Sequence, residues 1–276
     1  MVSKSHLLLQ HVILAPAEEW TVPPAPWVVL RLDKGMGYWI SPSARLELAQ
    51  GDMMLISDRA QGILRTSQLG EAALFFYTVN PYFLGGFFTL AERHAMQVAQ
   101  SRIQGLPLHF PARHSLAVDL GRVCETASEM SPLVQRCRLL YLFAIALQPQ
   151  LTTSTIPTAN GQSEKRFKEL MASLSEPELL RFTPLELAGQ CGCSPRHFAR
   201  LFQSHFGCSV REKFTELRLY KARELLLLSE STVAGVAVAT GFRDPAKFNN
   251  VFKKYFGQTP RRWREQQRKL EGTPHD

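Results

Sequence analysis

This 276-residue chain has no run approaching the ~20 consecutive apolar residues of a membrane-crossing helix, so no membrane association is expected. Leu7 to Leu14 is apolar but broken by Gln10 and His11. No small-residue cleavage site follows it, so it reads as a strand and not a leader. The five cysteines are odd in number and lack framework spacing, which excludes a disulfide scaffold and suits a reducing cytoplasm. Paired carboxylates, a nucleophile elbow and a phosphate loop are missing; Gly35-Met36-Gly37 lacks the rest of a dinucleotide fingerprint. Cys191-x-Cys193 falls short of the four ligands of a thiolate zinc site, and His197 and His205 are not at finger spacing. Neither a metal nor a cofactor is expected.

Positive charge and an internal repeat are what the chain does have. The formal charge is +8, with 12 Lys/Arg against 11 Asp/Glu in residues 1–160 and 20 against 13 in residues 161–276. A basic folded half favours a polyanion, and a phosphate backbone is the obvious one. The repeat lies in that same half. Pro195, Phe198, Phe202, Phe206 and Gly207 recur fifty positions on as Pro245, Phe248, Phe252, Phe256 and Gly257. Upstream the offset is 49: Ala188 matches Ala237 and Gly192 matches Gly241, so the second turn is one residue longer. Two copies of a helix-turn-helix unit in a basic domain point to double-stranded DNA.

Residues 7–80 are short apolar stretches separated by Gly, Pro, Asp and Ser, the pattern of an antiparallel sandwich or barrel. Strands are expected at Trp27–Leu32, Gly37–Ile40, Leu46–Leu48, Met53–Ile56, Ile63–Thr66 and Ala73–Val79. The period then changes. Leu116, Leu120, Val123 and Ala127 mark an amphipathic helix over 113–128. Ser131-Pro132 opens a second helix running to about Gln148 and apolar nearly all round. So apolar a helix needs cover on several sides, and a second subunit against Leu133, Leu140, Tyr141 and Phe143 is one source of it. Residues 149–162 have no periodicity and read as a linker. The expected organisation is therefore a sensing domain at 1–148, whose helices 113–148 dimerise, the linker, and a DNA-binding domain at 163–268.

Cap signals delimit the helices of the basic half. Thr183-Pro184-Leu185-Glu186 and Ser209-Val210-Arg211-Glu212 are capping boxes, and Ser194-Pro195, Asp244-Pro245 and Thr259-Pro260 open further helices. In the helix from Pro195, Phe198, Leu201, Phe202 and Phe206 form the apolar face, while Arg196, Arg200 and Gln203 lie opposite with His197 and Ser204 beside them. In the helix from Pro245, the polar face carries Ala246, Asn250 and Lys253, flanked by Lys247 and Lys254; Arg243 stands just ahead of the cap. Arg pairs with guanine O6 and N7 and Asn with adenine N6 and N7, whereas lysines at helix ends more often hold phosphate.

Residues 164–265 resemble the DNA-binding domain of the arabinose-operon regulator (AraC/XylS) family. The resemblance rests on Leu187-Ala188, Ser194-Pro195, Phe198-x-Arg200-Leu201-Phe202, Phe206-Gly207, Arg218-x-x-x-Ala222-x-x-x-Leu226-Leu227, Gly241-Phe242, Phe248-x-x-x-Phe252 and Phe256-Gly257-x-x-Pro260. It implies two helix-turn-helix units joined by a long helix, with base reading at Arg196, Ala199 and Arg200 and at Ala246, Lys247 and Asn250. Val236 and Val210 stand where the family more often has Ile and Pro. The first half more loosely resembles the family's cupin-like sensing barrel or jelly roll with a helical hairpin. Asp58 to Ile63, beyond Gly51-Asp52, contains no His pair, so a metal-bearing barrel is not implied.

The expected fold is α+β: a barrel with a helical hairpin, then an all-α double helix-turn-helix domain. The expected function is a cytoplasmic, nucleoid-associated, sequence-specific transcription regulator, an activator by resemblance, working as a homodimer with RNA polymerase. Trp27, Arg31, Tyr38 and Trp39 are the candidate walls of a small-molecule site; a protein partner in place of a ligand is the alternative. A third reading, an enzyme with a DNA-targeting domain, meets only Cys124 and Cys137 in residues 1–160, fewer than the several cysteines that DNA-repair methyltransferases of this architecture need.

Overall fold

Alternating apolar residues and turn formers give residues 10–79 eight antiparallel strands in two sheets. The computed structural model describes residues 6–42, 44–103, 106–152 and 161–272. The strands are β1 (Gln10–Leu14), β2 (Glu19–Trp20), β3 (Trp27–Lys34), β4 (Gly37–Ile40), β5 (Arg45–Leu48), β6 (Met53–Ser57), β7 (Ile63–Thr66) and β8 (Ala72–Val79), joined later by β9 (Leu108–Phe110). One sheet has the order β1-β8-β3-β6-β9 and the other β2-β7-β4-β5. Val28, Leu30 and Leu32 of β3 meet Trp39, Leu48 and Leu64 from the opposite sheet in one buried core.

Strand alternation sends the other face of β3 outward, and the helices cover it. These are α2 (Ser115–Glu125) and α3 (Pro132–Thr152), which follow α1 (Leu90–Arg102). Trp27 packs edge-on against Phe143 of α3 at 5.7 Å. The Tyr77 hydroxyl donates to the Leu139 carbonyl at 2.9 Å. Arg31 lies against Gly121 of α2 and donates to Asp33 at 2.9 Å. Asp52, buried, ties the turn at Gly51 to the chain entering α2: it accepts from the Ala49 and Ala112 amides at 3.0 and 2.8 Å and pairs with His109 at 2.9 Å.

The remaining helices are α4 (Gln162–Ser173), α5 (Glu176–Leu179), α6 (Pro184–Gln190), α7 (Pro195–Phe206), α8 (Val210–Leu228), α9 (Val233–Ala239), α10 (Pro245–Phe256) and α11 (Pro260–Gly272). They enclose two cores. Phe167, Leu187, Phe198, Phe202 and Leu217 belong to the first; Leu219, Ala222, Val236, Phe248, Phe252 and Trp263 belong to the second. Helix α8 supplies its first half to one core and its second half to the other.

By contacts the chain divides into two units, and the division departs from the boundary expected at 148: residues 82–93 group with the helical unit, residues 94–156 with the strands. Leu90 is fully buried in the first helical core, and its amide bonds the Leu174 carbonyl at 2.9 Å. Arg93 reaches Glu176 at 2.8 Å, both side chains almost wholly buried. A second correction concerns α3, which runs on to Thr152 with Pro149 inside its last turns, past the expected end at 148. Proline there removes one amide donor near a helix end, where carbonyls already lack partners. The core of the expected linker, 153–160, lies outside the described residues.

Candidate nucleic-acid interface

Each reading helix is fixed by the same set of local devices. Ser194 accepts from the His197 amide to open α7, and Asp244 accepts from the Ala246 amide to open α10. Both helices begin with proline and end on a left-handed glycine, Gly207 at φ 70° and Gly257 at φ 76°, a conformation that a Cβ disfavours. Helix α6 precedes α7 behind the Thr183–Glu186 capping box, and α9 precedes α10 behind Thr232.

The repeat is longer than the sequence comparison indicates. Arg166 of α4 lies over the turn glycine Gly192, and Arg218 of α8 lies over the turn glycine Gly241. Each unit is therefore a three-helix module, α4-α6-α7 and α8-α9-α10, and α8 also serves as the tether between them.

The fully buried phenylalanines Phe198 and Phe202, with Phe248 and Phe252, hold one side of each reading helix inward. The opposite side is exposed. It bears Arg196, Ala199, Arg200, Gln203 and Ser204 on α7, with His197 half-buried, and Ala246, Lys247, Asn250, Lys253 and Lys254 on α10, with Arg243 just before it. Arg200 approaches the His197 ring nitrogen at 3.4 Å, and Gln203 donates to the Gly207 carbonyl at 3.0 Å. Arg196 and the α10 lysines make no ion pair among the described residues. A surface of donors and cations without carboxylate partners suits a polyanion.

The candidate ligand walls scatter. Trp27 and Arg31 sit on the helix-facing side of β3 and so do not line the space between the sheets, a correction that follows from strand alternation. Tyr38 faces away from the inter-sheet core as well, its hydroxyl near the Met36 sulfur at 3.5 Å. Trp39 alone of the four enters the core. Its indole lies against Gly62, where a Cβ would collide, and its Nε1 is buried with no acceptor among the described residues.

Of the candidate dimer contacts, Leu133 and Tyr141 are exposed at 71% and 63%, and Leu140 is half-buried. Phe143 is a correction: it is fully buried against Trp27 and has no surface for a second subunit. Cys191 is also inside the first helical core, and burial pushes its thiol up to about 11. No described group of three or more His, Cys, Asp or Glu side chains is arranged to hold a metal ion. No helix among the described residues is long and apolar enough to cross a membrane.

The sequence missed one further feature of this unit. Tyr82, Phe83 and Arg93 join Tyr220, Arg223, Tyr255 and Phe256 in an aromatic-cation cluster on α8. Three tyrosines spread over more than 170 residues carry no local period that could have revealed it.

Comparison with known proteins finds relatives over this same part of the chain. A helix-turn-helix domain family matches residues 187–266. The HTH-type transcriptional regulator GlxA of Rhizobium meliloti (strain 1021) is 40% identical over 107 residues, 36% of this chain and 33% of that protein. The HTH-type transcriptional activator RhaR of Enterobacter sp. (strain 638) is 33% identical over 113 residues, 41% of this chain and 40% of that protein. The chain thus spans well under two thirds of the length of these curated relatives. Among solved structures, ToxT from Vibrio cholerae aligns over 93% of this chain and 97% of its own, at 14% identity and a TM-score of 0.39.

Proposed function

We propose that this chain, a member of the AraC/XylS regulators through its helix-turn-helix domain, is a sequence-specific transcription regulator that activates promoters. One observation carries the reading. Two modules of the same build each turn an exposed, carboxylate-free helix face outward from a phenylalanine core, with Arg196, Ala199 and Arg200 on one and Ala246, Lys247 and Asn250 on the other. Helix α8, at 19 residues, is roughly 28 Å long. A turn of B-DNA is about 34 Å, so the two faces suit successive major grooves on one side of a duplex.

Arg200 and Asn250 would read bases, and Lys253 and Lys254 would hold phosphate. The chain would work in the cytoplasm on the nucleoid, engage RNA polymerase, and pair with a second copy through the exposed α3 stripe of Leu133 and Tyr141. It is a binding protein and not an enzyme; the relatives named above are regulators. The strand domain, residues 1–148 less the 82–93 segment, would sense an effector. Trp39, the one candidate wall residue inside the inter-sheet core, is where a small-molecule effector would be met.

The test is selection of duplexes from a random library by the purified full-length protein at moderate salt. Two enriched elements about one helical turn apart are expected. Failure to enrich any sequence over a range of salt would overturn the reading.

A further inference from the structure

A cavity of about 1650 Å³ opens in the helical unit between the two reading helices. Ala199 of α7 lines one side, Arg243 and Lys247 line the other, and Arg211, Thr215 and Arg218 of α8 lie between them. Those three α8 residues are spaced i, i+4 and i+7, so they share one helix face. The groove thus joins both reading helices to a single stripe of the helix that tethers them.

The charges along this stripe are unequally committed. Glu212 accepts from the Ser209 amide at 2.8 Å, Asp244 accepts from the Ala246 amide at 2.8 Å, and Glu216 pairs with Lys213 at 2.8 Å and accepts from Tyr255 at 2.9 Å. Every carboxylate at the groove is engaged within the fold. Arg211 and Arg218 enter no ion pair among the described residues. The Arg218 guanidinium lies over the turn at Gly241: its Nε is 3.3 Å from where a Cβ would stand, so the glycine leaves the room it occupies. Two cations on one face of α8, at the groove and without ion-pair partners among the described residues, call for an anion from outside.

We infer that Arg211 and Arg218 grip the sugar-phosphate backbone of the duplex where its minor groove passes between the two reading helices. The inference rests on the duplex reading proposed above and adds a third contact to it. With α7 and α10 in successive major grooves on one face, the intervening minor groove faces α8, and its bordering phosphates run past the stripe. Contacts of this kind set register and affinity, not preferred sequence. Each phosphate neutralised steepens the fall of log K with log salt by about 0.9.

The experiment uses the full-length protein and a duplex enriched from the random library, in two forms: natural, and with uncharged methylphosphonates replacing the phosphates of the spacer between the two elements. Wild type is expected to bind the methylphosphonate duplex more weakly. The Arg211→Gln/Arg218→Gln variant is expected to bind the natural duplex with a salt slope shallower by about two, to keep the same preferred elements, and to be indifferent to the methylphosphonates. Arg211→Gln alone, a change at an exposed residue, is expected to give half that slope change at an unaltered melting temperature. An unchanged slope, or an equal methylphosphonate penalty in wild type and variant, would overturn the inference while leaving the function standing. A wild-type protein that selects no duplex would overturn the function itself, and this inference with it.

Discussion

Tyr82 stacks on Tyr220 with ring centroids 3.5 Å apart and planes tilted by only 10°. Tyr220 belongs to α8, the tether of the two modules, and Tyr82 begins the segment after β8 that groups with the helical unit. Arg223 lies over Phe83, Tyr220 and Phe256 in the same cluster, and Tyr255 and Tyr82 both direct their hydroxyls at Glu216. The contact ties residues 82–93 to both modules at once.

Removing that tie is expected to loosen the helical unit. Arg93→Met strands Glu176, whose carboxyl burial already pushes up against the pull of Arg93 and Lys213. Breaking one partner of a buried pair costs ~3–5 kcal/mol, whereas replacing both with apolar residues is often near neutral. In urea unfolding of the full chain, Arg93→Met is expected to fall well below wild type and Arg93→Met/Glu176→Leu to recover much of the loss. Equal stability of the single variant and wild type would show that the pair holds nothing.

Arg200→Ala is expected to relax base preference at one position of the selected element, at a cost of ~1–3 kcal/mol against the preferred site. Uniform weakening on every sequence would remove it from base reading.

Replacing Lys253 and Lys254 with Gln is expected to make binding less salt-dependent with no change of preferred sequence. Altered preference at an unchanged slope would exchange their role with that of Asn250.

His6 gives the strand unit a pH dependence. Burial, and then the nearby Arg136, lowers its imidazole to about 4, with a backbone bond to Thr78 working the other way. The unfolded chain, at about 6.5, takes up the proton first. Stability is therefore expected to be full above about pH 6.5 and to fall as the pH drops toward 4, by no more than ~2 kcal/mol at pH 5. His6→Gln is expected to flatten that part of the curve in denaturant titrations; an unchanged slope would assign the dependence to other groups.

Much of this arrangement was legible in the chain. Strands β4 and β7 begin and end where the turn residues place them, and the caps at Ser194, Ser209 and Asp244 open α7, α8 and α10 as read. β2 and β9 were missed because two or three residues cannot display a period. The apolar helix α3 defeated the choice of face. With leucines all round, nothing in its spacing told the covered side of Phe143 from the open side of Tyr141. The walls of the ligand site failed for a related reason: Trp27 and Val28 are equally apolar and point in opposite directions, and only the sheet's partners decide which is inside. Arg211 carried no signal, since an arginine on a long helix is ordinary until a groove is found beside it; Arg218 entered only as part of the family pattern, with nothing to place it beside Gly241.

Residue 82 and its partner Glu216 are separated by 134 positions. At a synthesis rate of 5–20 residues per second, roughly 7–27 s pass between the emergence of one and the making of the other. During that interval Tyr82, Phe83 and Arg93 have no α8 to meet. The 82–93 segment is thus synthesised long before the rest of the unit it belongs to, and ribosome-bound intermediates arrested before α8 would be the sticky ones.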